Sequence, residues 1–334
     1  MQLRPYQNNG IDGMRAVLAR FQSVMYQLAT GGGKTAVIAQ IVFTAISRKY
    51  RCWFVVPRNE LVQQASDHFF HWKIPHGLIT AKYAESRAYL VHIVSKDTLI
   101  RRYDKIKNWP DLLIFDEAHL YIDRQIEIAS HVREKCKIIG VTATPERLDG
   151  RGLKRCPIAK FAPDVRNGLY DSIVYGPPLK ELIELGFLSD MKYFSPPIFG
   201  LEDIHRKGTE YDADELAKLF KKRAVYGKAI NHYRQYADGK ACLVFCRSVA
   251  ASEETAQQFR DAGYRFENID GRMGYTKRKA LIDGLKDGTL QGLTSCELVT
   301  YGLDVPRIEC IIMLRPTLSR TLFFQMIGRG LRPY

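Results

Sequence analysis

Residues 28–35 read LATGGGKT, at the end of the apolar run VMYQL (24–28) and at the start of a helix-length segment, Lys34–Ser47. A tight turn needs one glycine; three in succession, closed by a lysine and a threonine, suit a loop that must fold its own backbone around an anion. Gly31, Gly32 and Gly33 let successive N–H groups turn inward as a nest after Thr30. The helix that follows adds unpaired N–H donors and the positive end of its dipole. Lys34 then reaches the β- and γ-phosphates of a nucleotide, and the Thr35 hydroxyl faces a magnesium ion. The general GxxxxGK[ST] pattern has glycine at the first position, where this chain has Leu28.

Outward from that stretch, short apolar runs alternate with helical segments. CWFVV (52–56), LVHIV (90–94), LLIFD (112–116) and KIIGVT (137–142) read as buried strands, with helices over Lys34–Ser47 and 59–70. The pattern starts again with ACLVFC (241–246), FENID (266–270), GLTSC (292–296) and ECIIML (309–314), with helices over 248–262 and 276–286. This predicts an α/β fold: two tandem domains, 1–190 and 191–334, each a mainly parallel sheet flanked by helices. The proline-bearing stretch 186–210 is the expected linker.

The 334 residues carry a formal charge of +14. Residues 1–190 hold 27 Lys+Arg against 19 Asp+Glu, and residues 191–334 hold 23 against 17, so both halves are basic. A polyanion touching both halves would account for that balance. Seven cysteines contain no CxxC pair, which speaks against a zinc site and for reduced, buried thiols. Without a signal-peptide pattern or a membrane-length apolar run, the chain reads as a soluble cytoplasmic protein.

LLIFDEAH sets Asp116 and Glu117 at the C-terminal end of an apolar strand, the ligand-binding edge of an open parallel sheet. Asp116 suits a metal ion and Glu117 the polarisation of attacking water. LATGGGKT and DEAH resemble motifs I and II of the superfamily 2 helicases and translocases, whose members do not all begin motif I with glycine. The resemblance extends from residue 3 to 333 and is most like the RadD/UvsW-type DNA repair helicases of bacteria and phages. It implies ATP and Mg2+ as cofactors and a bacterial or phage-infected cell as the setting. In LRPYQ it assigns Gln7 to the adenine edge and Arg4 to the side of the ring. VTATP resembles motif III, with Thr142 and Thr144 coupling the site; His119 would communicate with them or with Gln325.

The second half resembles motifs IV to VI in LVFCRS, TSCELVTYGLDVP and QMIGRGLRP. Gln325, Arg329 and Arg332 would then join the catalytic set, the two arginines sharing one face of a helix and approaching the γ-phosphate. Gly302 and Asp304 would touch the ribose. Pro57, Arg58, Ser95, Lys96 and Thr98 in the first half, with Arg247, Ser248 and Thr300 in the second, would grip backbone phosphates without reading sequence. The expected activity is an ATP-dependent DNA helicase or translocase acting as a monomer on single-stranded or branched DNA, with repair or replication proteins as accessory partners. The alternatives are an RNA helicase, an ATP-gated clamp with little motor activity, and the motor subunit of a larger nuclease complex. Ending at Tyr334, directly after the motif VI stretch, the chain reads as a truncated second domain or a minimal motor.

Overall fold

The computed structural model describes residues 3–132, 134–145, 153, 168–195, 203–207, 210–222, 225–296 and 308–333. The chain divides into two compact units, Met1–Glu181 and Leu182–Tyr334.

The first unit opens with α1 (Pro5–Arg20), whose first position is the proline of LRPYQ, a residue with the right fixed φ and no N–H to lose there. There follow β1 (Ser23–Gln27), α2 (Lys34–Ser47), β2 (Cys52–Val56), α3 (Glu60–His71), β3 (Gly77–Ile79), β4 (Val91–Ser95), α4 (Lys96–Ile100), β5 (Leu112–Phe115), α5 (Ile122–Ser130), β6 (Lys137–Thr142) and β7 (Ser172–Tyr175), and the division between the units falls within α6 (Leu179–Glu184). The strands form one parallel sheet in the order β3-β4-β2-β5-β6-β1-β7. Every residue of β2 and β4 is buried, which is why their apolar runs do not alternate. Trp53, Val55, Leu113, Phe115, Ile138 and Tyr170 share one core cluster. Gly140 is needed there, because a Cβ would sit 2.3 Å from the Tyr170 ring. The register pairs Gln27 with Thr142, and Phe115 with both Val55 and Gly140, so the C-terminal ends of β1, β6, β5 and β2 form one edge.

The second unit contains a short antiparallel ribbon of β8 (Arg206–Lys207) and β9 (Glu210–Tyr211), then α7 (Ala213–Lys222) and α8 (Val225–Tyr236). It continues with β10 (Cys242–Cys246), α9 (Val249–Asp261), β11 (Phe266–Ile269), α10 (Tyr275–Asp287), β12 (Gly292–Ser295), β13 (Cys310–Leu314) and α11 (Arg320–Ile327). The four longer strands run parallel in the order β11-β12-β10-β13. Alternate residues of β10 feed two cores. Cys242, Val244 and Cys246 pack with Tyr233, Phe259 and Phe266, whereas Leu243 and Phe245 pack with Leu293 and Met326. Helices α8 and α9 therefore lie on one face of the sheet and α11 on the other.

Both units are mainly parallel sheets flanked by helices, as the sequence predicts. The expected stretch between the halves, 186–210, carries no regular element among its described residues before β8. Cys52, Cys136, Cys242 and Cys246 are buried free thiols, and the described residues hold no group of three or more His, Cys, Asp and Glu side chains placed to share a metal ion. No described helix is long and apolar enough to cross a membrane.

Candidate active site

The loop joining β1 to α2 is built as an anion nest. Gly31 and Gly33 stand at φ +83° and +86°, a region costly to any residue with a Cβ. Gly33 is the N-cap of α2, and no side chain caps the helix there. Leu28, in place of the usual first glycine, is fully buried, and a Cβ on Gly32 or Gly176 would come within 2.8 Å of its side chain. The leucine thus packs beneath the loop. Lys34 heads α2 and its Nζ lies 3.4 Å from the Leu28 carbonyl. Thr30 and Thr35 are half-buried on either side of the glycines.

The N-terminal helix is bonded to the same loop. Gln7, 4% exposed, donates from Nε2 to the Gly32 carbonyl (3.0 Å) and accepts the Arg4 backbone N–H at Oε1 (2.9 Å). The Tyr6 hydroxyl donates to that same carbonyl (2.8 Å) and accepts from Arg4 Nη1 (3.2 Å). The resemblance singles out Arg4 and Gln7 for the base; Tyr6, between them, was passed over, although its only signal in sequence is that position.

Asp116 and Glu117 follow β5 at the edge of the sheet. Burial, and then the neighbouring Glu117 charge, push the Asp116 carboxyl up to about 7, against the opposing pull of Lys34. Lys34 and the acidic pair therefore share one electrostatic site. Glu117 has a left-handed backbone (φ +45°), and its N–H bonds to Asp116 Oδ1 at 3.0 Å. Its Oε2 is buried without a hydrogen-bond partner, 3.5 Å from His119 Nδ1. Two adjacent half-buried carboxylates, one with a buried oxygen that no hydrogen bond satisfies, suit a hard divalent cation, so the residues present fit Mg2+.

From there a chain of bonds leads to the end of β6. Thr142 Oγ1 gives its single proton to the Thr144 carbonyl (2.8 Å) and accepts the Thr144 N–H (3.2 Å). Its 2.8 Å contact with His119 Nδ1 therefore needs the proton on that nitrogen. Burial lowers the His119 pKa and keeps the ring neutral. The turn after Glu117 is held by Gln125, whose Nε2 donates to the carbonyls of Ala118 (3.1 Å) and Leu120 (2.7 Å). The Tyr170 hydroxyl in turn donates to Gln125 Oε1 (2.6 Å). Neither Gln125 nor Tyr170 falls in a motif, and only the folded chain brings them to this turn.

The other expected contacts fall unevenly. Pro57 is buried and Arg58 half-exposed at the end of β2. Ser95, Lys96 and Thr98 are all buried. The Ser95 hydroxyl donates to Asn59, and the Lys96 ammonium lies 3.0 Å from Asp97 and 3.8 Å from the centre of the Tyr121 ring. In the second unit, Arg247 follows β10, and Ser248 caps α9 by accepting the Ala251 N–H at 3.1 Å. Thr300, Gly302 and Asp304 lie outside the described residues. Gln325 is buried on α11, and Arg329 is only 7% exposed. The expected helical face joining Arg329 to Arg332 is not formed, because α11 ends at Ile327. Gly328 and Gly330 weaken the helix, the N–H groups of Arg329 and Gly330 bond three residues back, and Arg332 lies beyond in irregular chain.

Comparison with known proteins finds matches for both units. Residues 1–147 match the family described as type III restriction enzyme, res subunit, and residues 221–333 match the helicase conserved C-terminal domain. A Saccharomyces cerevisiae protein named as an ATP-dependent helicase, IRC3, is 29% identical over 99% of this chain and 49% of its own length. A 51.5 kDa protein of a Lactococcus phage is 26% identical over 92% of this chain and 62% of its own. The chain thus spans about half to three-fifths of these relatives. The helicase domain of Pyrococcus furiosus Hef shares the fold at 15% identity, with a TM-score of 0.59 over 99% of this chain and 93% of that one. The chain is thus similar to a restriction-enzyme res subunit over residues 1–147 and to a helicase C-terminal domain over residues 221–333.

Proposed function

We propose that the chain is the motor of an ATP-dependent DNA helicase or translocase acting on single-stranded or branched DNA, of the RadD/UvsW type and working in the cytoplasm. One observation carries this reading: the lysine that heads α2 after the left-handed glycine turn and the Asp116–Glu117 pair that follows β5 stand at the same C-terminal edge of the sheet, close enough for the ammonium to act on the Asp116 carboxyl. In this reading the nest and Lys34 hold the nucleotide phosphates, and Arg4 and Gln7 face the adenine. Thr35 and Asp116 hold Mg2+, which would neutralise charge on the transferring phosphoryl group. Glu117 orients the attacking water, and His119 passes its position to Thr142 and Thr144. In the second unit Gln325, Arg329 and Arg332 are the residues proposed for the γ-phosphate, and Gly302 and Asp304 those proposed for the ribose. Arg58, Arg247, Ser248 and Thr300 are the proposed backbone contacts, with Pro57, Ser95, Lys96 and Thr98 shaping the surface from beneath.

A second reading, the motor portion of a restriction enzyme, is favoured by the description of the family that the first unit matches. Either way, ATP turnover should rise with nucleic acid and the stimulation should fall steeply with salt. The test compares ATPase rates with single-stranded DNA, forked DNA and RNA of matched length. Forked DNA is expected to stimulate most; equal or greater stimulation by RNA overturns the DNA assignment. Loss of all turnover in the presence of every polymer overturns the motor itself.

A further inference from the structure

We infer that Tyr6 is a positioning residue that locks one peptide of the glycine turn in its anion-binding orientation. This rests on the nucleotide-binding reading of that turn.

The peptide held in this way joins Gly32 to Gly33. It is trans, so its C=O and N–H point in opposite directions. Two donors, Tyr6 Oη at 2.8 Å and Gln7 Nε2 at 3.0 Å, hold the Gly32 oxygen toward α1. The Gly33 N–H is thereby aimed the other way. Flanked by glycines, this peptide has little steric resistance to rotation, and a flip would turn a carbonyl oxygen toward the phosphates. Something outside the loop must fix it.

Both donors are well placed to do so. Tyr6 is 7% exposed and its ring is part of the core, so the hydroxyl cannot wander. Arg4 Nη1 donates to the same hydroxyl at 3.2 Å, and a cationic donor there makes the hydroxyl a stronger donor in turn. Gln7 Nε2 occupies the space a Cβ on Gly33 would need, at 2.4 Å from that position. Arg4 and Gln7, the residues expected at the adenine, thus reach the phosphate turn through a single carbonyl. The hydroxyl of Tyr6 is the link between Arg4 and that carbonyl.

The test removes the hydroxyl and keeps the ring. In Tyr6→Phe, amide hydrogen exchange across residues 29–36 of the nucleotide-free protein should quicken, and affinity for ADP should fall about fivefold, the usual worth of one such bond. Affinity for inorganic tripolyphosphate should fall by the same factor, since the lock acts on the loop and not on the base. Tyr26→Phe is the matched control: Tyr26 carries a buried hydroxyl without a hydrogen-bond partner, close to Gly10 and Gly176, and its loss should leave all three readouts unchanged. Unaltered exchange in Tyr6→Phe, or tripolyphosphate affinity unmoved while ADP affinity falls, overturns the lock. Lys34→Ala, run in parallel, separates the two claims. If it too leaves ADP and tripolyphosphate affinity intact, the nucleotide-binding reading of the turn fails; if it abolishes binding while Tyr6→Phe is silent, only the lock fails.

Discussion

His119 gives its Nδ1 proton to the Thr142 hydroxyl across 2.8 Å, joining the loop after β5 to the last residue of β6. The hydroxyl is saturated, since it also donates to the Thr144 carbonyl and accepts the Thr144 N–H. Thr142→Val keeps the shape and removes all three bonds. It should cost about 1–3 kcal/mol of stability, because the buried His119 ring and the Thr144 backbone both lose the hydroxyl that they bond. If this chain reports the state of Glu117, nucleic-acid stimulation of the ATPase should fall further than the basal rate. Urea unfolding and the ratio of stimulated to basal turnover check the two parts separately.

The acid pair gives a sharper expectation. Glu117→Gln keeps the size of the side chain and removes the charge that raises Asp116. ATP should still bind, and hydrolysis should slow by about 10²-fold or more, as expected on losing a general base. Lys34→Ala should instead weaken binding itself. Titration with a non-hydrolysable ATP analogue, alongside single-turnover hydrolysis, tells the two apart.

What could be read in advance, and what could not, follows from how local the cause is. The ends of β2 and β6 coincide with the apolar runs because those strands are covered on both faces, so composition alone marks them. Strands β3 and β7 went unseen: three and four residues long, at the two edges of the sheet, they carry too little pattern to register. Lys34 and Asp116 were legible because each sits where a strand gives way, and such places recur in parallel sheets. Tyr6, Gln125 and Tyr170 were not, since their importance lies in partners 26, 5 to 7 and 45 residues away. The end of the helix before Arg329 and Arg332 had a signal. Gly328, Gly330 and Pro333 stand in the same short stretch, and together they argue against a continuing helix.

At Gly33 the backbone and the neighbour object to the same change. Alanine would have to adopt φ +86°, costing about 1–2 kcal/mol, and its Cβ would fall 2.4 Å from Gln7 Nε2. Relief by moving Gln7 breaks its bond to Gly32. Gly33→Ala should therefore lose nucleotide affinity as well as stability, whereas Gly239→Ala, equally left-handed but with open space around it, should lose stability alone. Thermal melts with and without ADP measure the difference.

The turn that carries Glu117 is fixed from behind. Gln125 spends its amide nitrogen on two carbonyls of that turn, and its oxygen accepts from a tyrosine that is itself fully buried. Burial holds the Tyr170 phenol well above its ordinary pKa, so it remains a donor at any working pH. Tyr170→Phe removes one oxygen and strands Gln125 Oε1 in the core, at a cost of about 1–3 kcal/mol. The amide can recover a partner only by rotating, which would turn its nitrogen away from Ala118 and Leu120. Turnover should consequently fall while affinity for ADP, held by the glycine turn, stays unchanged. A fall in ADP affinity matching the fall in turnover would show that the two loops are not independently supported.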